Sequence, residues 1–317
     1  DRLSKTIIRR QETLMTEKNY KKTHSAFYGV YPMLLAFFRA DGSLGLDAIA
    51  LQVDALVKHG VHGCAVMELG TEVNKLFTQE RRAVIEVVAA RLNGRLPFCV
   101  TIGENSVAGQ IEFSRATEAL GADWFILQPP TVGDFPEREI LRFFGQIADA
   151  TSLPLGLQNA PQYLGIGLSN ADLGELRARH ENFKVVKTED DPLALPPLLE
   201  ATDGQLDVFV GRAELESLEV FRGSACGLIP GFETFDRLSQ MFDHLCTGKD
   251  DAAEAAYQRV EPAIVFMLKS INHFVTYSRE ISGRRLGLND IHHRLGVDVS
   301  PLGQHLIEKT AQTLGPL

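Results

Sequence analysis

Basic residues are in short supply: Lys and Arg total 32 against 41 Asp and Glu, a formal charge of -9 over 317 residues. No stretch gathers enough positive charge to track a phosphate backbone, so nucleic acid is not expected as a partner. Cysteine is scarce as well. Cys64, Cys99, Cys226 and Cys246 lie far apart and form no CxxC pair, which argues against a zinc site and suits free thiols in a reducing interior. No apolar run approaches the roughly 18 residues that a membrane span needs. The N-terminal stretch DRLSKTIIRRQETLMTEKNYKK is polar throughout and lacks the apolar centre of a signal peptide. A cytoplasmic protein without a membrane partner is expected, with Met15 a candidate natural start and residues 1–14 then an added leader. GxGxxG is missing, and GEN at 103–105 is too short for a phosphate loop. His292 and His293 are adjacent, point apart on any helix or loop, and are joined by no acidic cluster, so neither a metal nor another cofactor is expected.

What the chain does have is 44% hydrophobic residues, ample for a packed core, distributed in a regular alternation. Short apolar runs occupy 28–37, 62–69, 96–103, 123–130, 153–159, 183–189, 206–212 and 226–231. Between them the period changes to that of a helix, with Ile49, Val53, Leu56 and Val57 on one face and Val84, Ile85, Val87 and Val88 on another. Gly60, Gly94, Gly121 and Gly204 stand where helix C-terminal caps belong. Eight strands alternating with helices predict a TIM (β/α)8 barrel over 26–233. From Thr234 the strand signals stop, and 235–245, 251–277 and 300–314 read as helices of a C-terminal extension, 234–317. Residues 1–25 form a polar N-terminal segment, and no low-complexity linker separates the parts.

In such a barrel the chemistry sits at the C-terminal ends of the strands. The ends read Glu68, Gly70 and Thr71 after the second run, Gln128 after the fourth, and Gln158 with Asn159 after the fifth. Lys187 and Glu189 end the sixth, Gly211 the seventh, and Ile229, Pro230 and Gly231 the eighth. The sixth stretch, NFKVVKTEDDP, is apolar through Phe183, Val185 and Val186, so the ammonium that closes it is costly to bury unless it is used. A lysine whose pKa is lowered by low dielectric is a carbonyl nucleophile; the bland alternative is a rim ion pair with Glu189 or Asp190. Trp124, Phe37, Phe38 and Phe125 read as core, and Arg284 with Arg285 as a solvated face.

PMLLAFFRADGSL, GVHGCAVMELGTEVNKLFTQERRAVIE, LPLGLQNAP, VVKTEDDP and RGSACGLIPG, in this order over residues 26 to 290, resemble the dihydrodipicolinate synthase and N-acetylneuraminate lyase family of class I aldolase-like barrels. The resemblance implies that Lys187 forms a Schiff base with pyruvate or another 2-oxo acid. Two departures stand out. The family's Gly-Thr-Thr-Gly-Glu turn, which holds the substrate carboxylate, is here Glu68-Leu69-Gly70-Thr71-Glu72, and its Tyr-Asn-x-Pro is here Gln158-Asn159-Ala160-Pro161. An amide has no accessible pKa for proton transfer, so Gln158 cannot relay protons as a phenol does. Gln158, Lys187 with Glu189, and GLIPGFE look most like the branch containing 2-keto-3-deoxy-L-arabonate dehydratase. That implies dehydration of a 2-keto-3-deoxy sugar acid. The alternatives are a pyruvate-dependent aldolase or synthase, or an inactive barrel that binds a small oxo acid as a sensor. The expected catalytic residues are Lys187, Gln158 and Glu189; the expected substrate binders are Gly70, Thr71, Gly211, Ile229 and Pro230. A homo-oligomer, tetramer or dimer, is expected.

Overall fold

The computed structural model describes residues 27–131, 133, 135–211 and 215–317; the segment expected at 1–25 lies outside the described residues. Eight parallel strands are present: β1 (Gly29–Val30), β2 (Cys64–Val66), β3 (Phe98–Ile102), β4 (Trp124–Leu127), β5 (Leu155–Asn159), β6 (Phe183–Thr188), β7 (Asp207–Val210) and β8 (Gly227–Leu228). They hydrogen-bond in the order β1-β8-β7-β6-β5-β4-β3-β2. Closure between β1 and β2 runs through a Met33–Ala65 bridge, with Leu34 N–H donating to Ala65 O and Ala65 N–H to Pro32 O, both at 3.0 Å. The apolar run 28–37 therefore pairs as a strand only at its start. Pro32 has no N–H for the ladder, yet Leu34, Leu35 and Ala36 beyond it are fully buried.

Helices α1 (Leu46–His59), α2 (Thr78–Leu92), α3 (Val107–Ala119) and α4 (Glu137–Asp149) connect the first five strands, and α5 (Pro161–Leu164), α6 (Asn170–Arg179), α7 (Leu195–Ala201) and α8 (Ser217–Arg222) the rest. Gly60 caps α1 in the left-handed region, φ 65°, its N–H reaching Leu56 O and Val57 O. On α2 the cap is Asn93, φ 47°, one residue before the expected Gly94; asparagine tolerates that region better than most residues. Tyr31, Trp124 and Phe209 meet ring to ring, with centroids 5.4–5.7 Å apart. Trp124 on β4 and Phe209 on β7 do not sit on neighbouring strands, so these rings touch across the interior and the barrel is packed, not hollow.

Beyond β8 come α9 (Phe235–Cys246), α10 (Asp250–Met267), α11 (Ile271–Arg285) and α12 (Pro301–Leu314). The stretch 251–277 is thus two helices. The break falls at Leu268-Lys269-Ser270, where Ser270 Oγ accepts from His273 N–H at 3.1 Å and caps α11. Arg285, expected on a solvated face, is buried in a bidentate pair with Asp236, both bonds 2.9 Å. Among the described residues no helix is long and apolar enough to cross a membrane.

Candidate active site

Lys187 is the fifth residue of β6, and its neighbour in register on β5 is Gln158. Between the Leu155–Phe183 and Gly156–Val185 pairs the register shifts by one, passing over Lys184. A bulge of this kind resets which residues face inward, and Lys187 is turned into the interior with 2% exposure. Its Nζ lies 2.9 Å from Glu189 Oε1 and 3.1 Å from Glu68 Oε2. Both carboxylates are buried. They outweigh desolvation: burial alone pushes the Lys187 pKa down, but Glu189 and Glu68 together hold it well above the ordinary lysine value. Burial at the end of an apolar strand by itself predicts a lowered pKa, because the interior disfavours the ammonium; two anions within hydrogen-bond reach reverse that sign.

A polar chain continues on both sides. Gln158 Nε2 donates to Glu189 Oε1 at 3.4 Å, and Gln128 Nε2, from the exit of β4, donates to Gln158 Oε1 at 2.6 Å. On the other flank the Thr101 hydroxyl of β3 donates to Glu68 Oε1 at 2.8 Å. Gln128, Gln158, Glu189, Lys187, Glu68 and Thr101 thereby form one buried arc across the barrel mouth. In the sequence Glu68 and Gln128 stand at strand ends with no part assigned to them. The signal for Glu68 was the one that picked out Lys187, a charge ending an apolar run. Nothing local marks Thr101.

Above this arc opens a cavity of about 470 Å3. Glu68, Lys187, Glu189 and Gly211 line its floor, Gln162 and Tyr163 of α5 one wall, and Leu268, Lys269, Ser270, Ile271 and Phe274 another, supplied by the α10–α11 break. Asn159 spends its side chain on the backbone of Leu168, past the end of α5, through bonds of 2.9 and 2.8 Å. Gly211 is a glycine for a steric reason, since a Cβ there would come within 2.3 Å of Glu189 Oε1. Gly70 is overlaid by Met33 and Leu35, a Cβ meeting Met33 Sδ at 2.5 Å. The Thr71 hydroxyl donates to Leu34 O at 2.6 Å. Ile229 and Pro230 spend their backbone on the barrel, Ile229 N–H on Val210 O and Pro230 O on Met33 N–H, each 3.0 Å. Gly70, Thr71, Ile229 and Pro230 are not among the residues lining the cavity.

Chemically the arrangement offers one amine, two carboxylates that can accept its proton or balance its charge, and an amide beside them, under an apolar-walled mouth. A model of the dihydrodipicolinate synthetase family matches residues 26–283. A 4-hydroxy-tetrahydrodipicolinate synthase of Methanococcus vannielii is 27% identical over 247 residues, 77% of this chain and 84% of that protein. Among solved structures, a Ruminococcus gnavus sialic acid aldolase superposes with a TM-score of 0.82 at 21% identity, over 92% of this chain and 97% of its own. A prophage protein of Escherichia coli K12, from the dihydrodipicolinic acid synthase family and solved in complex with pyruvate, gives 0.83 at 22% identity, over 92% and 99%. At such identities the structural likeness speaks for the fold alone.

Proposed function

From the premise that this chain belongs to the dihydrodipicolinate synthetase family, whose named members include synthases and aldolases, we propose that it is a Schiff-base-forming lyase acting on a 2-oxo acid, and that the reaction is dehydration of a 2-keto-3-deoxy sugar acid. The observation that carries the reading is Lys187, buried at the exit of β6 between Glu189 and Glu68 at 2.9 and 3.1 Å, with an amide, Gln158, beside it in register. In this reading the amine attacks C2 of the oxo acid and the resulting imine withdraws electrons from C3. Glu189, or a water held by Gln158, takes the C3 proton, and the enamine expels the C4 hydroxyl. Gly211 leaves room for the Glu189 carboxylate. Gly70, Thr71, Ile229 and Pro230, which lie beyond the cavity lining, are given no contact with the substrate in this reading.

A second reading, a pyruvate-dependent aldolase or synthase, is favoured by one observation: Tyr163 lines the cavity, and a phenol there could move the proton that Gln158 cannot. We place the protein in the cytoplasm as a homo-oligomer, and a monomer by light scattering would refute the latter. The deciding experiment is borohydride trapping with pyruvate and a panel of 2-keto-3-deoxy sugar acids, with the adduct mapped by mass. An adduct on Lys187 and release of water from a sugar acid supports the lyase reading; cleavage to pyruvate moves it to an aldolase; binding without turnover leaves an oxo-acid sensor.

A further inference from the structure

One carboxylate balances one ammonium, yet Lys187 has two. A second carboxylate buried beside a single cation is unfavourable for stability. Its geometry is nonetheless built with care. Met67, immediately before Glu68, is held in the left-handed region at φ 65° while fully buried, a conformation that a non-glycine residue keeps only when its surroundings enforce it. Glu68 is itself fully buried, with Oε1 tied to the Thr101 hydroxyl at 2.8 Å and Oε2 left facing Lys187 at 3.1 Å. Among the described residues, Glu189 by contrast accepts from Lys187 and, at 3.4 Å, from Gln158 alone.

We propose that Glu68 is a fixed counter-ion to the Lys187 nitrogen during catalysis, with Thr101 as its positioning residue, while Glu189 carries the protons. The inference rests on the imine reading given above. Over one dehydration the nitrogen becomes cationic twice. Lys187 passes one ammonium proton to Glu189 at 2.9 Å and adds to C2, forming the C–N bond as the carbonyl becomes a hydroxyl with a second proton from nitrogen; Glu189 returns its proton to that hydroxyl, which leaves as water, and the iminium remains. Glu189 then removes the C3 proton, and the C–H electron pair forms the neutral enamine. The enamine pushes out the C4 hydroxyl, which departs as water with the proton from Glu189, and a conjugated iminium remains for water to hydrolyse. Both cation-forming steps are favoured by a charge that stays in place and takes no proton. Glu189 cannot supply it while it is protonated.

Among the described residues, the titratable groups facing Lys187 are Glu68, Glu189 and the Cys99 thiol of β3, whose pKa burial pushes well up, while Tyr163 and Lys269 line the cavity above it. Glu68→Gln keeps the side-chain shape and removes one of the two anions. Its borohydride trapping of pyruvate should begin at a pH lower by about one unit or more, because the ammonium has lost a partner. Its kcat should fall by about a hundredfold with KM changed far less. Thr101→Val, which keeps the charge and loosens it, should lower kcat in the same sense with a smaller displacement of the trapping profile. Wild-type trapping together with an unchanged pH onset and kcat in Glu68→Gln overturns the inference and leaves the imine reading standing. A loss of thermal stability without a displaced onset in either variant assigns Glu68 to structure and overturns it too. If the wild type itself gives no Lys187 adduct with any oxo acid, the imine reading fails and takes this inference with it.

Discussion

At the scale of the residue, Lys187 is defined by its two partners. Its pKa is raised in the folded protein above the unfolded value of 10.5, so the stabilisation it provides is complete below that value and is lost as pH rises through the higher folded one. Lys187→Met removes the cation and leaves two carboxylates buried side by side, a loss of about 3–5 kcal/mol by analogy with other broken buried pairs. Differential scanning calorimetry should show the deficit large near neutrality and smaller in acid; a deficit independent of pH would contradict the ion triad. The same variant should give no borohydride adduct. Gly211→Ala pushes a methyl to 2.3 Å from Glu189 Oε1, and a displacement of about 1 Å in a catalytic group typically costs about a hundredfold in rate. The expected outcome is low kcat with a near-normal melting temperature, checked by steady-state kinetics beside a thermal scan.

At the scale of the element, the break between α10 and α11 matters most. The sequence 251–277 carries helical period throughout, and of the N-cap residue types near the break, Ser270, Asn272 and Thr276, the structure uses Ser270. The interruption turns Leu268, Lys269, Ile271 and Phe274 over the barrel mouth. Ser270→Ala forfeits the cap to His273 N–H and should lower stability by about 1 kcal/mol in denaturant titration, with no effect on the site of borohydride labelling. β6 teaches the complementary lesson: its apolar character was readable, but the one-residue register shift at Lys184 was not, because pairing depends on β5 and on nothing local.

At the scale of the whole molecule, the helices after β8 are tied to the barrel by buried charge. Arg279 of α11 pairs with Glu72, donates from Nε to Ala36 O at 2.6 Å, and approaches His293, which in turn meets Glu280. Arg294 pairs with Glu80 of α2, and both guanidiniums stack on Phe38, with Cζ 5.2 and 4.5 Å from the ring centre. We propose accordingly that 26–233 and 234–317 are one folding unit. A chain ending at 233 would leave Glu72, Phe38 and the cavity wall uncovered, and should be recovered aggregated or unfolded by circular dichroism; a soluble, cooperatively melting barrel would refute this.

The alternation of eight apolar runs with helical period, and the lysine that closes the sixth run, were determined by the sequence alone, because periodicity and strand ends are properties of neighbouring residues. Lys187, Gln158, Glu189 and Gly211 were accessible in that way, each lying at the end of a run. Glu68 lies 119 positions from Lys187, and Thr101 and Gln128 come from two further strands, so their convergence belongs to barrel closure. Tyr163 reaches the cavity from the short helix α5, and Gly70 and Thr71 lie outside it because Met33, Leu35 and Leu34 cover them. The sign of the Lys187 shift was decided there as well: burial is written in the sequence, but whether two carboxylates come within 3.1 Å is settled by tertiary structure.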